Sequence, residues 1–232
     1  MMVVAAALSA CQPVPHEQVA TPDVAPSRAD IRANTRVSAD VYHLDSAASW
    51  IRLRVYRDGP LARLGHNHVI VAEQITGTIL RAASVTDSAV ELSFPTAALA
   101  IDRDADRAQA GVDFASAVTP EAIAGTRANM LGPKQLAQQQ YPTISLRSIA
   151  ISGALPDLQI VAALKLREFD SQFVLPVHLS EASGMLIAEG EVQLSQTQLG
   201  LTPFSVLGGG LRVSDTIDAS YRLVARLAKK GQ

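Results

Sequence analysis

Thiols and aromatic rings are scarce in this 232-residue chain, which has one cysteine, one tryptophan and 4% aromatic residues in all. A lone cysteine excludes an internal disulfide framework. Clusters of one charge are missing too: 20 basic and 22 acidic residues leave a formal charge of −2. No basic run is longer than Lys229-Lys230, so the field that gathers phosphate backbones is absent and nucleic acid is excluded as a partner. There is no Gly-x-Ser-x-Gly elbow, no phosphate-binding loop, no His-Glu-x-x-His pair and no spare thiol for nucleophilic work, so the chain reads as a non-enzyme. What it has is apolar substance, 48% hydrophobic against 18% charged, enough for one globular domain with a sizeable core.

The cysteine is informative by its place. In "VVAAALSAC" an apolar run leads into Leu8-Ser9-Ala10-Cys11, which resembles the lipobox of bacterial lipoproteins. Residues 1–10 then read as a truncated lipoprotein signal segment lacking its basic start, and Cys11 as the lipidated residue. Two or three acyl chains hold a protein on a membrane where one does not. Gln12, in place of Asp, goes with sorting to the outer membrane, so the expected location is the bacterial cell envelope, facing the periplasm. Pro13, Pro15, Pro22 and Pro26 fall in a stretch with no apolar period, and residues 11–40 read as a disordered linker.

From Val41 the pattern alternates. Ile51, Leu53 and Val55 share one face, and so do Val90, Leu92 and Phe94. The same period-2 signature recurs in Leu158, Ile160, Ala162, Leu164 and Leu166, in Phe173, Leu175, Val177 and Leu179, and in Ile217, Ala219, Tyr221 and Leu223. The phase slips between Leu146 and Ile149, which predicts a bulge. Residues 118–142 break the rule: Thr119 fits an N-cap, Pro120 the first helical position and Glu121 the first turn. Gly132-Pro133 stops that helix and starts a second, short one to Gln140. Asp102, Asp104 and Asp106 read as a charged loop, and Gly208-Gly209-Gly210 as a tight hairpin. About eight one-sided strands with one helical excursion predict an all-β, antiparallel barrel over residues 41–228, with 229–232 as a tail.

Four stretches carry a resemblance: "VYHLDSAASWIRLRV", "VIVAEQITGTI", "YPTISLRSIAI" with its Tyr-Pro entry, and "LSQTQLGLTPFSVLGGGLRVSDTIDASYRLVA" with its Val-Ser-Asp step. In this order and spacing they resemble the YceI family. The resemblance implies a lipocalin-like barrel in the periplasm that holds a long apolar ligand such as a polyisoprenoid.

Strand parity nominates Ile51, Leu53, Val55, Leu92, Leu164, Leu166, Leu175 and Val177 as the cavity wall, an aliphatic lining suited to an isoprenoid or fatty-acyl chain. A packed core without a cavity, as in a structural envelope lipoprotein, remains an alternative. No other cofactor is indicated, and a homodimer is left open. In "GHNH", His66 and His68 point to one face if the segment is extended. They are read as a polar rim, as contacts to the ligand's head group, or as a metal or haem contact in a redox accessory protein; a metal would need a further ligand such as Asp45, Glu73 or Asp170. Arg63 is the candidate for an anionic head such as phosphate.

Overall fold

A computed structural model describes residues 38–229. Cys11, residues 1–10, most of the 11–40 segment and residues 230–232 of the tail lie outside the described residues. Ala39 and Asp40, read as linker, belong to the first strand.

The alternating segments form strands. These are β1 (Ala39–Leu44), β2 (Trp50–Asp58), β3 (His68–Ala72), β4 (Thr76–Ala82), β5 (Ala89–Pro95) and β6 (Leu99–Ile101), then β7 (Thr143–Ala154), β8 (Asp157–Leu166), β9 (Phe169–Ala182), β10 (Met185–Ser195), β11 (Ser205–Val206) and β12 (Leu211–Leu227). Every pairing is antiparallel, and β1–β2 run as one bent strand against β3–β4, which runs in turn against β5–β6. With each bent run taken as one strand, eight strands follow in chain order. The wall closes where β12 pairs with both β2 and β1. Closure removes the free edges that an open sheet would present.

The seam between β9 and β10 is incomplete. β9 pairs with β8 along its length and β10 with β12, but β9 and β10 pair with each other only between His178–Ala182 and Met185–Glu189. Where that ladder ends, the Tyr221 hydroxyl donates to the Pro176 carbonyl at 2.5 Å. Gly190, opposite Tyr221 on β10, makes this reach sterically feasible, since a Cβ there would lie 2.5 Å from the hydroxyl.

The bulge lies where the phase slip placed it: the β7–β8 register shifts between Ser148 and Ala150. Ile149 is thereby exposed while Ile151 returns to the core. The triple glycine closes a hairpin, with β11 pairing back onto β12.

Two expectations are corrected. Thr119 does cap α2 (Pro120–Leu131), its hydroxyl accepting from the Ala122 amide at 3.3 Å, but no second helix reaches Gln140. The amides of Leu136, Ala137 and Gln138 turn back onto the carbonyls of Met130, Gly132 and Leu131, so they close the end of α2 instead of propagating a new one. The aspartate-rich "loop" contains a helix, α1 (Asp104–Ala110), in which Asp106 and Arg107 are buried. A helix of this length depends on tertiary contacts. Its region lies outside the barrel over β2 and β3, where Phe114 and Ala110 pack with Val69, Val71 and Trp50.

Candidate functional site

The inward faces enclose a cavity of about 420 Å³, within the range of pockets that bury one ligand of moderate size. Ile51, Leu53, Val55, Leu92, Leu164, Leu166, Leu175 and Val177 all line it. So do Phe173, Leu179, Ile217 and Tyr221 from the other parity runs. The wall is aliphatic because each strand sends every second side chain inward. Ring scarcity leaves Phe94, Phe173, Phe204, Tyr56 and Tyr221 as its only non-histidine aromatics among the described residues.

Polar groups gather at the end where β2 finishes and β3 begins. His66 and His68 both line the cavity, with ring centroids 6.4 Å apart. Val55 stands opposite His68 where the β2–β3 ladder ends, and Arg57, next on the inner face of β2, donates from Nη1 to the Gly65 carbonyl beside His66 at 2.6 Å. Arg57 lines the cavity yet is exposed, which marks this end as the rim. α2 contributes Thr126, Asn129 and Met130 to the lining. It is held there by Arg127, which donates to the Leu99 and Ala97 carbonyls at 2.7 Å.

Behind the histidine lies a buried ion pair that the sequence reading missed. Nδ1 of His68 lies 2.6 Å from Oδ2 of Asp102, and Arg107 donates from Nη1 to Oδ1 at 2.6 Å. The Val69 amide adds a third bond to the same carboxylate. Burial by itself raises the Asp102 carboxyl, but the bonds from His68, Val69 and Arg107 outweigh it and hold the group below the usual aspartate value. Arg107 also donates to the carbonyls of Asn67 and Ser116 at 2.8 Å. The pair thus fixes the backbone on which His66 and His68 stand, and it leaves Nε2 as the unbonded nitrogen of His68 among the described residues.

Arg63 is exposed and does not line the cavity, because it lies on a short 3-10 turn (Ala62–Leu64) beyond the strand. The arginines that do line it are Arg57, Arg81 and Arg212. Parity was the signal for Arg57, which continues the series Ile51, Leu53, Val55. The carboxylates weighed as further metal ligands are engaged elsewhere: Asp45 with Arg226, Glu73 with Arg103 and Asp170 with Lys165. Among the described residues no three His, Cys, Asp or Glu side chains are grouped to hold a metal ion.

No family model matches the sequence, and no curated protein is similar to it. Solved structures share its fold. Burkholderia cenocepacia BcnA superposes with a TM-score of 0.57 at 11% identity, over 78% of this chain and 98% of its own. A polyisoprenoid binding domain from Saccharophagus degradans, implicated in plant cell wall breakdown, gives 0.53 at 12%, over 81% and 98%. The Campylobacter jejuni YceI protein gives 0.50 at 9%, over 68% and 84%. The chain therefore shares the fold of these structures, the YceI protein among them, the barrel that the resemblance of the four sequence stretches implied.

Proposed function

We propose that this chain is a YceI-family protein of the bacterial cell envelope that holds a long-chain amphiphile, of polyisoprenoid or fatty-acyl type, inside its barrel. It acts as a carrier or sequestering protein and not as an enzyme. The observation that carries this reading is the predominantly aliphatic cavity of about 420 Å³ enclosed by the strands. Burying an apolar chain there contributes roughly 25 cal/mol per Å² removed from water, less the cost of association. The polyisoprenoid binding named for the Saccharophagus degradans domain supports the ligand class. The lipobox-like "LSAC" supports an outer-membrane anchor through Cys11, which would keep the barrel beside a source of such molecules.

The test is native mass spectrometry of the protein exported to the periplasm with Cys11 replaced by Ala and purified without detergent. A discrete added mass that fragments as a lipid is the expected result. An apo mass, even after incubation with lipid extract, overturns the reading, and a mass heavier only by haem or a metal ion moves the function to His66 and His68.

A further inference from the structure

The distribution of charge around the cavity is one-sided. Arg57, Arg81, Arg212, His66 and His68 line it, and among the described residues no aspartate or glutamate does. Two of these arginines are already neutralised from outside the lining: Arg81 by Glu181 at 2.7 Å and Arg212 by Asp58 at 2.8 Å. Arg57 is different. Its guanidinium donates to the Gly65 carbonyl at 2.6 Å, and among the described residues it has no carboxylate partner.

We infer that the amphiphile held in this barrel carries an anionic head group, a carboxylate or a phosphate, seated at the rim against Arg57, His66 and His68. The inference rests on the reading of the cavity as a lipid site and narrows its ligand. A cation at the lip of an apolar cavity is partly stripped of water when a chain enters, and the cost is offset only if the entering molecule brings an opposite charge. Arg57 offers a planar fork of donors suited to carboxylate or phosphate oxygens. His68 adds Nε2, which donates to an anion as imidazolium or accepts from a protonated acid. Its ring is held by Asp102, so this nitrogen is pre-positioned and little ordering remains to be done on binding. The apolar chain then lies along Val55, Leu53 and Ile51, on the inner face that continues from Arg57.

The full chain is loaded with N-phenyl-1-naphthylamine, an uncharged apolar fluorophore, and competed with hexadecanoate, hexadecyl phosphate or hexadecan-1-ol. The acids are expected to displace the fluorophore at about tenfold lower concentration than the alcohol, the range of a charge-assisted hydrogen bond. Arg57→Gln should erase that preference when each competition is normalised to the variant's own fluorophore affinity, and His66→Gln should reduce it independently. The ratio of hexadecanoate to hexadecyl phosphate tells which acid the rim prefers. If the fluorophore binds but the alcohol competes as well as the acids, the inference fails and the lipid cavity stands. A preference that survives in both variants overturns the assignment to this rim. Failure of the fluorophore and all three competitors to bind overturns the cavity reading itself.

Discussion

Arg107 and Asp102 face each other at 2.6 Å with almost no solvent access, Asp102 being 2% exposed and Arg107 6%. The two residues come from the end of a strand and from the helix that covers it, so one ion pair ties α1 to the segment that presents the rim histidines. Removing the acid leaves a buried guanidinium uncompensated. Asp102→Ala should lower the unfolding free energy by about 3–5 kcal/mol, read as a lower urea midpoint at unchanged slope. The near-isosteric Asp102→Asn isolates the charge. Because the folded carboxyl is held below the ordinary aspartate value, its stabilisation is complete above that value and is lost as pH falls through the folded one. The difference in stability between wild type and Asp102→Asn should therefore shrink as the pH is lowered through the folded carboxyl's value. A difference that stays constant throughout would locate the stabilisation in another group.

Gly190 and Tyr221 give a spectroscopic prediction. Burial raises the Tyr221 phenol above the ordinary tyrosine range. Gly190→Ala pushes a methyl against its hydroxyl and should cost about 1–3 kcal/mol, as overpacking does. In alkaline absorbance titration the last tyrosine of the wild type to ionise should be Tyr221, and in the variant that last step should move down toward pH 10, the unperturbed tyrosine value. Identical titrations would mean that Gly190 does not hold the ring in place.

The cavity wall is tested by two arginines. Leu164 lines the cavity, whereas Ile149, at the bulge, is 42% exposed. Leu164→Arg puts an unpaired charge into the apolar interior and should abolish lipid uptake or unfold the barrel. Ile149→Arg should change stability by less than about 0.5 kcal/mol, as exposed substitutions do. Equal behaviour of the two variants in uptake and in thermal melting would overturn the inside-outside assignment.

Much of the wall was legible because a one-sided strand writes its orientation in every second residue, as Ile51, Leu53 and Val55 do. The bulge was legible for the same reason, since Leu146 and Ile151 can both face inward only if an extra residue lies between them. Thr119-Pro120 announced a helix by local capping chemistry. The ion pair was not legible. Asp102 follows the last residue of β6 and Arg107 lies in a helix, so their meeting is tertiary, and Asp104 and Asp106 beside them look like solvated charge. Arg63 stands out in the sequence for its nearness to His66 along the chain, and Arg57 does not. Cross-strand register, which sets Val55 opposite His68 and leaves Arg57 beyond them beside Gly65, is what brings side chains together in a barrel.

The interrupted ladder between β9 and β10 makes the barrel a cylinder of adjustable girth. Widening along a paired seam breaks a row of backbone bonds at once, but residues 169–177 and 190–195 share no ladder, so the circumference can give way along that line without such a loss. A thicker, methyl-branched guest and a slim, saturated one then differ little in what they demand of the wall. Thickness is a poor criterion of selection in such a vessel, and discrimination falls to the groups at its lip.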